Sequence, residues 1–325
     1  MHWALLECYA LKGLPPPVAV SVAVGWMRRR HGASEGAFVN GVLRGMLRDF
    51  PDEAALRGHL ARHAPAAVQC ELPGALYERW RAAFGEARTR ALAALLQTPA
   101  PATARRRGGF APGAAMPPGG VMRTSGEDFD PAQWYLQDPS TLLAPLLLAA
   151  RPGEVLADLC AAPGGKSLVL AERLGGTGRL DCRDRSAERL EAVRENLAGY
   201  ANVTIAEGDA AAPELAPGGY DGVLLDVPCS NTGVIRRRPD VRANFTTAGL
   251  QELVALQRRI LDGAAPLVKA GGRLVYSTCS IEGEENAQQV AAFLARHPEY
   301  SLIRQQQLYP TAYHDGAFAA LLARR

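Results

Sequence analysis

Two cysteines carry the strongest chemical signal in this chain. Cys229 sits in Leu224-Leu-Asp-Val-Pro-Cys-Ser-Asn-Thr-Gly-Val234, and Cys279 in Val275-Tyr-Ser-Thr-Cys-Ser280. Each follows a short apolar run of strand character, so both thiols are expected at the carboxyl edge of one sheet, on adjacent loops. A single cysteine in such a place is more often a small buried hydrophobe than a nucleophile. Two of them on adjacent loops, one beside Asp226 and Pro228, point instead to chemistry. The other cysteines, Cys8, Cys70, Cys160 and Cys182, are scattered without any C-x-x-C pair, which argues against zinc clusters and a disulfide framework. Free thiols are expected, and no metal is implied.

A second constellation lies upstream, in Asp158-Leu-Cys-Ala-Ala-Pro-Gly-Gly-Lys-Ser167. It follows an expected strand and opens an expected helix, where a doubly wound sheet binds its ligand. Gly164 and Gly165 let the backbone approach a ligand that a side chain would block. Their spacing fits neither the G-x-G-x-x-G dinucleotide fingerprint nor a P-loop, so a ligand without phosphates is favoured. Asp184, near the end of the next expected strand, can accept both hydroxyl protons of a ribose. Asp181 competes with it but is expected inside the strand. Asp209 follows a third strand, where it can accept from an adenine amino group. One aspartate in such a loop is more often a helix cap; three acids after three successive strands argue for a ligand.

These residues require an α/β, Rossmann-like doubly wound sheet, and the chain from about residue 150 has its texture. Strands are predicted at Val155 to Leu159, Gly178 to Cys182, Val203 to Glu207, Gly222 to Asp226 and Gly272 to Ser277. Helices are predicted at Ser167 to Leu174, Ala187 to Ala198 and Leu250 to Leu267. Residues 1–95 read as helical, with apolar spacing in Val18 to Met27 and Phe38 to Leu47, and with Pro15, Pro16 and Pro17 separating the first two helices. The Pro-, Gly- and Ala-rich stretch Gln97 to Gly120, with its Arg105-Arg106-Arg107 triplet, reads as a linker or an irregular segment facing nucleic acid. The expected division is a helical domain over 1–95, a linker over 96–133 and a sheet domain over 134–325.

Charge follows the same division. Residues 1–125 hold 16 Lys and Arg against 8 Asp and Glu, and the remainder 20 against 25, so a net charge of +3 hides a basic front and a mildly acidic rear. That asymmetry suits phosphate contacts in one region and chemistry in another. Four arginines, Arg236, Arg237, Arg238 and Arg242, directly follow the Cys229 loop; phosphate contact is the expected role, with an exposed turn as the alternative. With no apolar stretch of about 18 residues and no signal-peptide pattern at the start, no membrane association is expected, and a cytoplasmic location is the default.

The chain resembles the Sun (Fmu) family of RNA cytosine-5 methyltransferases, and within it the branch that carries a NusB-like helical domain and acts on small-subunit ribosomal RNA. The resemblance rests on DLCAAPGGKS, DRSAERL, GDA, LLDVPCSNTGV, RRRPDVR and LVYSTCSIEGEEN in that order, with QDPSTLLAP before them and DGAF after them. Phe38-Val-Asn-Gly-Val-Leu-Arg44 is similar to the closing helix of a NusB-like domain, here shortened. The resemblance implies S-adenosyl-L-methionine as cofactor, held by Cys160, Ala161, Ala162, Pro163, Gly164, Gly165, Lys166, Asp184, Asp209 and Asp226. It also implies Cys279 as the nucleophile that adds to carbon 6 of cytosine, Asp226 at ring nitrogen 3, and Cys229 as the group that helps remove the carbon-5 proton and release the adduct. Lys166 is implied beside the site.

RNA, ribosomal RNA ahead of transfer RNA, is the expected partner, with no obligate protein partner evident. A non-catalytic RNA-binding or ribosome assembly factor is the alternative from a different class, and two positioned thiols argue against it. A methyltransferase for small molecules or protein side chains is a third, disfavoured because methyl transfer to an amine or hydroxyl needs no thiol adduct. Two departures stand out: Asn231 where the family usually has glycine, and Val227 where it has alanine. Neither is expected to touch a chemical role, although Asn tolerates positive φ less freely than Gly.

Overall fold

The computed structural model describes residues 1–11, 13–110, 121–123 and 129–325, with only the backbone of 121–123 described. Two compact units divide the chain, Met1–Gly74 and Ala75–Arg325.

The first unit is helical. Its principal helices are Pro16–His31, Ala33–Asp49 and Glu53–His63. Proline opens the first of them, where its missing N–H costs nothing. The chain reverses between the first two at Gly32, whose φ of +122° favours a residue without Cβ. Val20 and Val24 pack against Val39 and Leu43, and the buried Tyr9 donates its hydroxyl to the carbonyls of Met46 and Phe50 at 3.0 and 2.8 Å.

The second unit begins twenty-one residues before the expected linker. Helices Gly74–Phe84 and Glu86–Leu96 lie almost wholly within it. Trp80, 1% exposed, gives its indole N–H to Glu282 at 2.8 Å, and Arg79 pairs with Glu282 and Glu284. Helical periodicity over residues 1–95 therefore runs across a packing boundary that only these long-range contacts define.

Ten strands follow. Three short ones, β1 (Thr103–Arg106), β2 (Val121–Arg123) and β3 (Trp134–Leu136), form an antiparallel sheet in the order β2-β1-β3. The expected irregular linker thus contains a strand. Arg105 within it is 1% exposed and is buried against Glu172 at 2.9 Å, beside the rings of Phe110 and Tyr135. It serves the interior and cannot face nucleic acid; residues 111–120 of the same stretch lie outside the described residues.

The main sheet holds β4 (Val155–Asp158), β5 (Arg179–Asp184), β6 (Val203–Glu207), β7 (Tyr220–Asp226), β8 (Val268–Thr278), β9 (Tyr300–Leu308) and β10 (Ala317–Arg324). Their order is β6-β5-β4-β7-β8-β10-β9, parallel from β6 through β8, with β10 antiparallel to both neighbours. This is the expected Rossmann-like architecture with an antiparallel edge added. Side chains alternate as the pleat demands. Val223, Leu225, Leu274 and Tyr276 meet Ile260, Leu261 and Phe293 on one face, while Leu156, Leu180, Leu224 and Val275 meet Leu168, Leu174 and Val193 on the other. Both faces are covered, so the central strands read as continuous apolar runs. The order reverses at β4 and β7, which opens a crevice beyond their carboxyl ends. Among the described residues no helix is long and apolar enough to cross a membrane.

Candidate active site

The loop after β4 runs from Leu159 to Gly164 and enters helix Gly165–Leu174. Gly164 caps that helix at φ +104°, and a Cβ there would sit 3.2 Å from the Cα of Val193. The loop is braced by backbone: the amide of Ala161 donates to the carbonyl of Arg183 at 2.9 Å, and that of Gly164 to Ala161 at 2.7 Å. The carbonyl of Pro163 accepts from Asn196, and that of Ala162 from Arg189. Asp184, buried at the end of β5, accepts from the amides of Ala162 and Ser186, each at 3.1 Å. Asp181 lies inside the sheet, bound by the hydroxyls of Thr204 and Tyr220. Asp209 is exposed after β6 and accepts from the amide of Ala211 at 2.9 Å.

Two cavities meet at the carboxyl edge. One of about 640 Å³ is lined by Cys160, Asp184, Arg189, Asp209, Asp226 and Cys279. The other, about 410 Å³, is lined by Tyr135, Gln137, Lys166, Asp226, Arg237 and Cys279. Asp226 and Cys279 belong to both. A third space of about 720 Å³ runs beyond Asp209 between Arg183 and Glu207 and touches neither cysteine of the pair.

The ends of β7 and β8 bring the thiols together: Cys229 Sγ lies 3.2 Å from Cys279 Sγ. Gly233 makes this possible. Its amide donates to the carbonyl of Cys279 at 3.0 Å, its carbonyl accepts from Gly316, and a Cβ there would stand 2.6 Å from the Cys279 oxygen. Behind the cysteines lies a buried polar network. Ser230 and Ser280 share a hydrogen bond at 3.1 Å, and Thr232 bonds Ser280 at 3.1 Å. Glu285, fully buried, accepts from the amide and hydroxyl of Ser230 and from Gln257, while Tyr276 donates to its carbonyl. Every such group is satisfied by a neighbour, the condition under which buried polar residues fix geometry.

Electrostatics distinguish the members. The hydrogen bond to Cys279, together with burial, pushes the Cys229 thiol well above its ordinary value, so Cys229 holds its proton in the free protein. Lys166 Nζ lies 2.5 Å from Asp226 Oδ2, and Ser277 donates to Asp226 Oδ1 at 3.0 Å. Burial works against the ammonium of Lys166, but the Asp226 carboxylate outweighs it and raises the lysine. Burial pushes Asp158 up to about 7, partly offset by the Ser167 hydroxyl, and raises Cys160 well above the usual thiol range.

The four arginines divide sharply. The side chain of Arg236 is 1% exposed and bonds Asp315 at 3.2 Å and the carbonyl of His314, so it is a buried brace and not a phosphate contact. Arg237 bridges Asp315 and Asp138 at 2.5 and 2.9 Å. Arg242 donates to the carbonyl of Leu96 at 2.7 Å. Arg238 is exposed, paired loosely with Asp240, and lines the larger cavity. A run of like charge in sequence carries no information about burial, and the acids that neutralise two of these arginines lie some hundred and eighty residues apart.

Asn231 also departs from expectation. It sits at φ +60°, accepts from the Cys279 thiol at 3.0 Å and donates to the carbonyl of Cys229 at 2.9 Å. It therefore touches both candidate catalytic loops. Glu285 and Ser230 were likewise missed as individuals, although both lie inside motifs that carry the resemblance.

The family described as 16S rRNA methyltransferase RsmB/F matches residues 145–322. The chain belongs to the RsmB/F family. Residues 1–48 match the NusB family, in keeping with the helical first unit. A ribosomal RNA small subunit methyltransferase B from Thermus thermophilus is 33% identical over 296 residues, covering 89% of this chain and 72% of that relative. A probable ribosomal RNA small subunit methyltransferase B from Synechocystis is 41% identical over 171 residues, covering 51% of this chain and 38% of the relative. The chain thus spans well under half of one such relative and about seven tenths of the other. A solved methyltransferase homolog from Pyrococcus horikoshii shares the fold, with a TM-score of 0.65 and 23% identity, over 80% of this chain and 97% of its own.

S-adenosyl-L-methionine is the cofactor of the RsmB/F family, and the larger cavity fits it. Its volume suits a ligand of that size. Carboxylates at Asp184 and Asp209 match hydroxyl and amino donors, and apolar Leu159 and Ile260 flank them. The glycine-bearing loop lies at the switch point of the sheet.

Proposed function

We propose that this protein methylates carbon 5 of a cytosine in RNA, with 16S ribosomal RNA as the substrate and Cys279 as the covalent nucleophile. The observation that carries the reading is the pair of thiols 3.2 Å apart, beside the Lys166–Asp226 pair, with Cys279 open to both cavities. Carbon 5 of cytosine is a poor nucleophile, and a thiolate added at carbon 6 turns the ring into an enamine. The cofactor, when bound, supplies an electrophilic methyl group.

On this reading Asp184 and Asp209 hold the ribose and adenine of that cofactor, and the loop from Cys160 to Lys166 encloses it. The base enters where the two cavities meet, at Asp226 and Cys279. Cys279 Sγ forms a bond to carbon 6 as its S–H proton passes, by way of Asp226, to ring nitrogen 3, where Lys166 backs the carboxylate. Carbon 5 takes the methyl group. Cys229 gives its proton to the departing Cys279 Sγ across the 3.2 Å contact and takes up the carbon-5 proton in its place, while the nitrogen-3 proton leaves through Asp226. The Sγ–carbon 6 bond then breaks, its electrons return to sulfur, and the aromatic ring is restored. Arg238 is the exposed cation that meets phosphate beside the entry. The target base has to leave its stack to reach this depth. Work on ribosomal RNA goes with a cytoplasmic location.

The test compares wild type, Cys279→Ala and Cys229→Ala on unmodified 16S RNA with labelled S-adenosyl-L-methionine, reading 5-methylcytosine by mass spectrometry. Wild type is expected to produce it, Cys279→Ala to lose at least about a thousandfold in rate, and Cys229→Ala to accumulate a protein–RNA adduct. Methylation by Cys279→Ala at the wild-type rate removes the covalent mechanism. If wild type binds RNA and cofactor but yields no 5-methylcytosine on ribosomal or transfer RNA, a binding role replaces catalysis.

A further inference from the structure

We propose that Asn231 is a positioning residue that holds Cys279, in the free protein, as a directed, hydrogen-bonded thiol; this rests on the reading of Cys279 as nucleophile. Asn231 lies at φ +60° in the loop after β7 and shares the larger cavity with Cys229 and Cys279. Its Nδ2 donates to the carbonyl of Cys229 at 2.9 Å. A carbonyl can only accept, so this bond sets which end of the amide faces which way. Oδ1 is thereby turned toward Cys279 Sγ, 3.0 Å away.

An amide oxygen has no proton to give, so the contact is a hydrogen bond only while Cys279 carries its own. With that proton committed to Oδ1, the short contact between the sulfurs is completed by Cys229, whose S–H points at Cys279 Sγ across 3.2 Å. The result is a closed ring: Cys229 S–H to Cys279, Cys279 S–H to Asn231, and Asn231 N–H back to the carbonyl of Cys229. The sulfur has to give up this bond before it can react. Asn231 therefore aims the sulfur and restrains it from reacting before substrate arrives.

The experiment uses the full chain without RNA or cofactor. Iodoacetamide at pH 7 alkylates thiols by displacement of iodide, the proton passing to buffer, and peptide mass spectrometry separates Cys279 from Cys229. Asn231→Gly keeps the positive φ and removes the amide; Asn231→Asp keeps an acceptor and adds negative charge. Cys279 alkylation is expected to rise roughly two- to tenfold in Asn231→Gly, the equivalent of one lost hydrogen bond, and to fall below wild type in Asn231→Asp. Mere loosening of the loop accelerates both variants alike, and that result, or equal rates in all three proteins, overturns the assignment. The outcome is separable from the reading above: failure of wild type to make 5-methylcytosine removes the proposed function and leaves the order of the alkylation rates standing.

Discussion

The two halves of the carboxyl edge hold their residues by different means. Beyond β4, β5 and β6 the cofactor loop is shaped chiefly by backbone: amides of Ala161, Ala162, Gly164 and Ser186 find carbonyls or the Asp184 carboxylate, and Gly164 supplies the required turn. Beyond β7 and β8 the cysteines are held by side chains bonded to one another, through Ser230, Thr232, Ser280, Gln257 and Glu285. A backbone-built loop tolerates exchange of most side chains around it. A side-chain network does not, because each lost member leaves a buried partner unsatisfied. The cofactor half is the more general device, and the cysteine half is specific to one chemistry.

Three measurements bear on that contrast. The largest effect is expected from Asp158, the acid buried under the cofactor half. Its folded value is pushed up to about 7 while the unfolded chain titrates near 4, so between those values the folded state holds a proton that the unfolded chain has released. This contribution to stability is complete below about pH 4 and is lost as pH rises toward 7, by up to about 4 kcal/mol. Asp158→Asn should abolish that decline in denaturant melts taken across the window. An unchanged pH slope would mean that Asp158 ionises freely and that the cofactor half is more hydrated than its burial indicates.

Next in size is Glu285→Ala, which strands the amide and hydroxyl of Ser230 and the amide of Gln257 together. A loss of about 3 kcal/mol in urea unfolding is expected. A loss below about 1 kcal/mol would show that the network is decoration on a loop held by other means. The smallest effect belongs to Asp184→Asn, which keeps one of the two acceptors and turns an amide NH2 toward the N–H of Ala162 or Ser186. S-adenosyl-L-methionine affinity should fall by about tenfold by calorimetric titration, with a loss of about 1 kcal/mol in unfolding. Unchanged affinity would leave Asp184 as a brace for Ala162 and Ser186 alone, and the contrast between the halves would become sharper still.

Much of the sheet was legible beforehand. The five strands read from the sequence are β4 to β8, and the three helices beside them stand within a few residues of where periodicity put them. Two strands escaped notice. The stretch Arg304-Gln-Gln-Gln307 gives β9 a polar face without clear alternation, and β10 has small alanines in place of bulky strand formers. β1 was hidden by its arginines, of which Arg105 is buried against Glu172 far along the chain.

By itself the sequence determined the fold class, the family and the chemical types at the site, because apolar periodicity and short contiguous motifs are local and survive without coordinates. Only the tertiary structure decided which groups meet. The separation of two thiols fifty residues apart, the burial of Arg236 against Asp315, the boundary at Gly74 and the bridge that Asn231 makes between both cysteine loops all depend on chain segments remote in sequence. Charge and residue type are properties of a position, whereas burial and partnership belong to the packed chain.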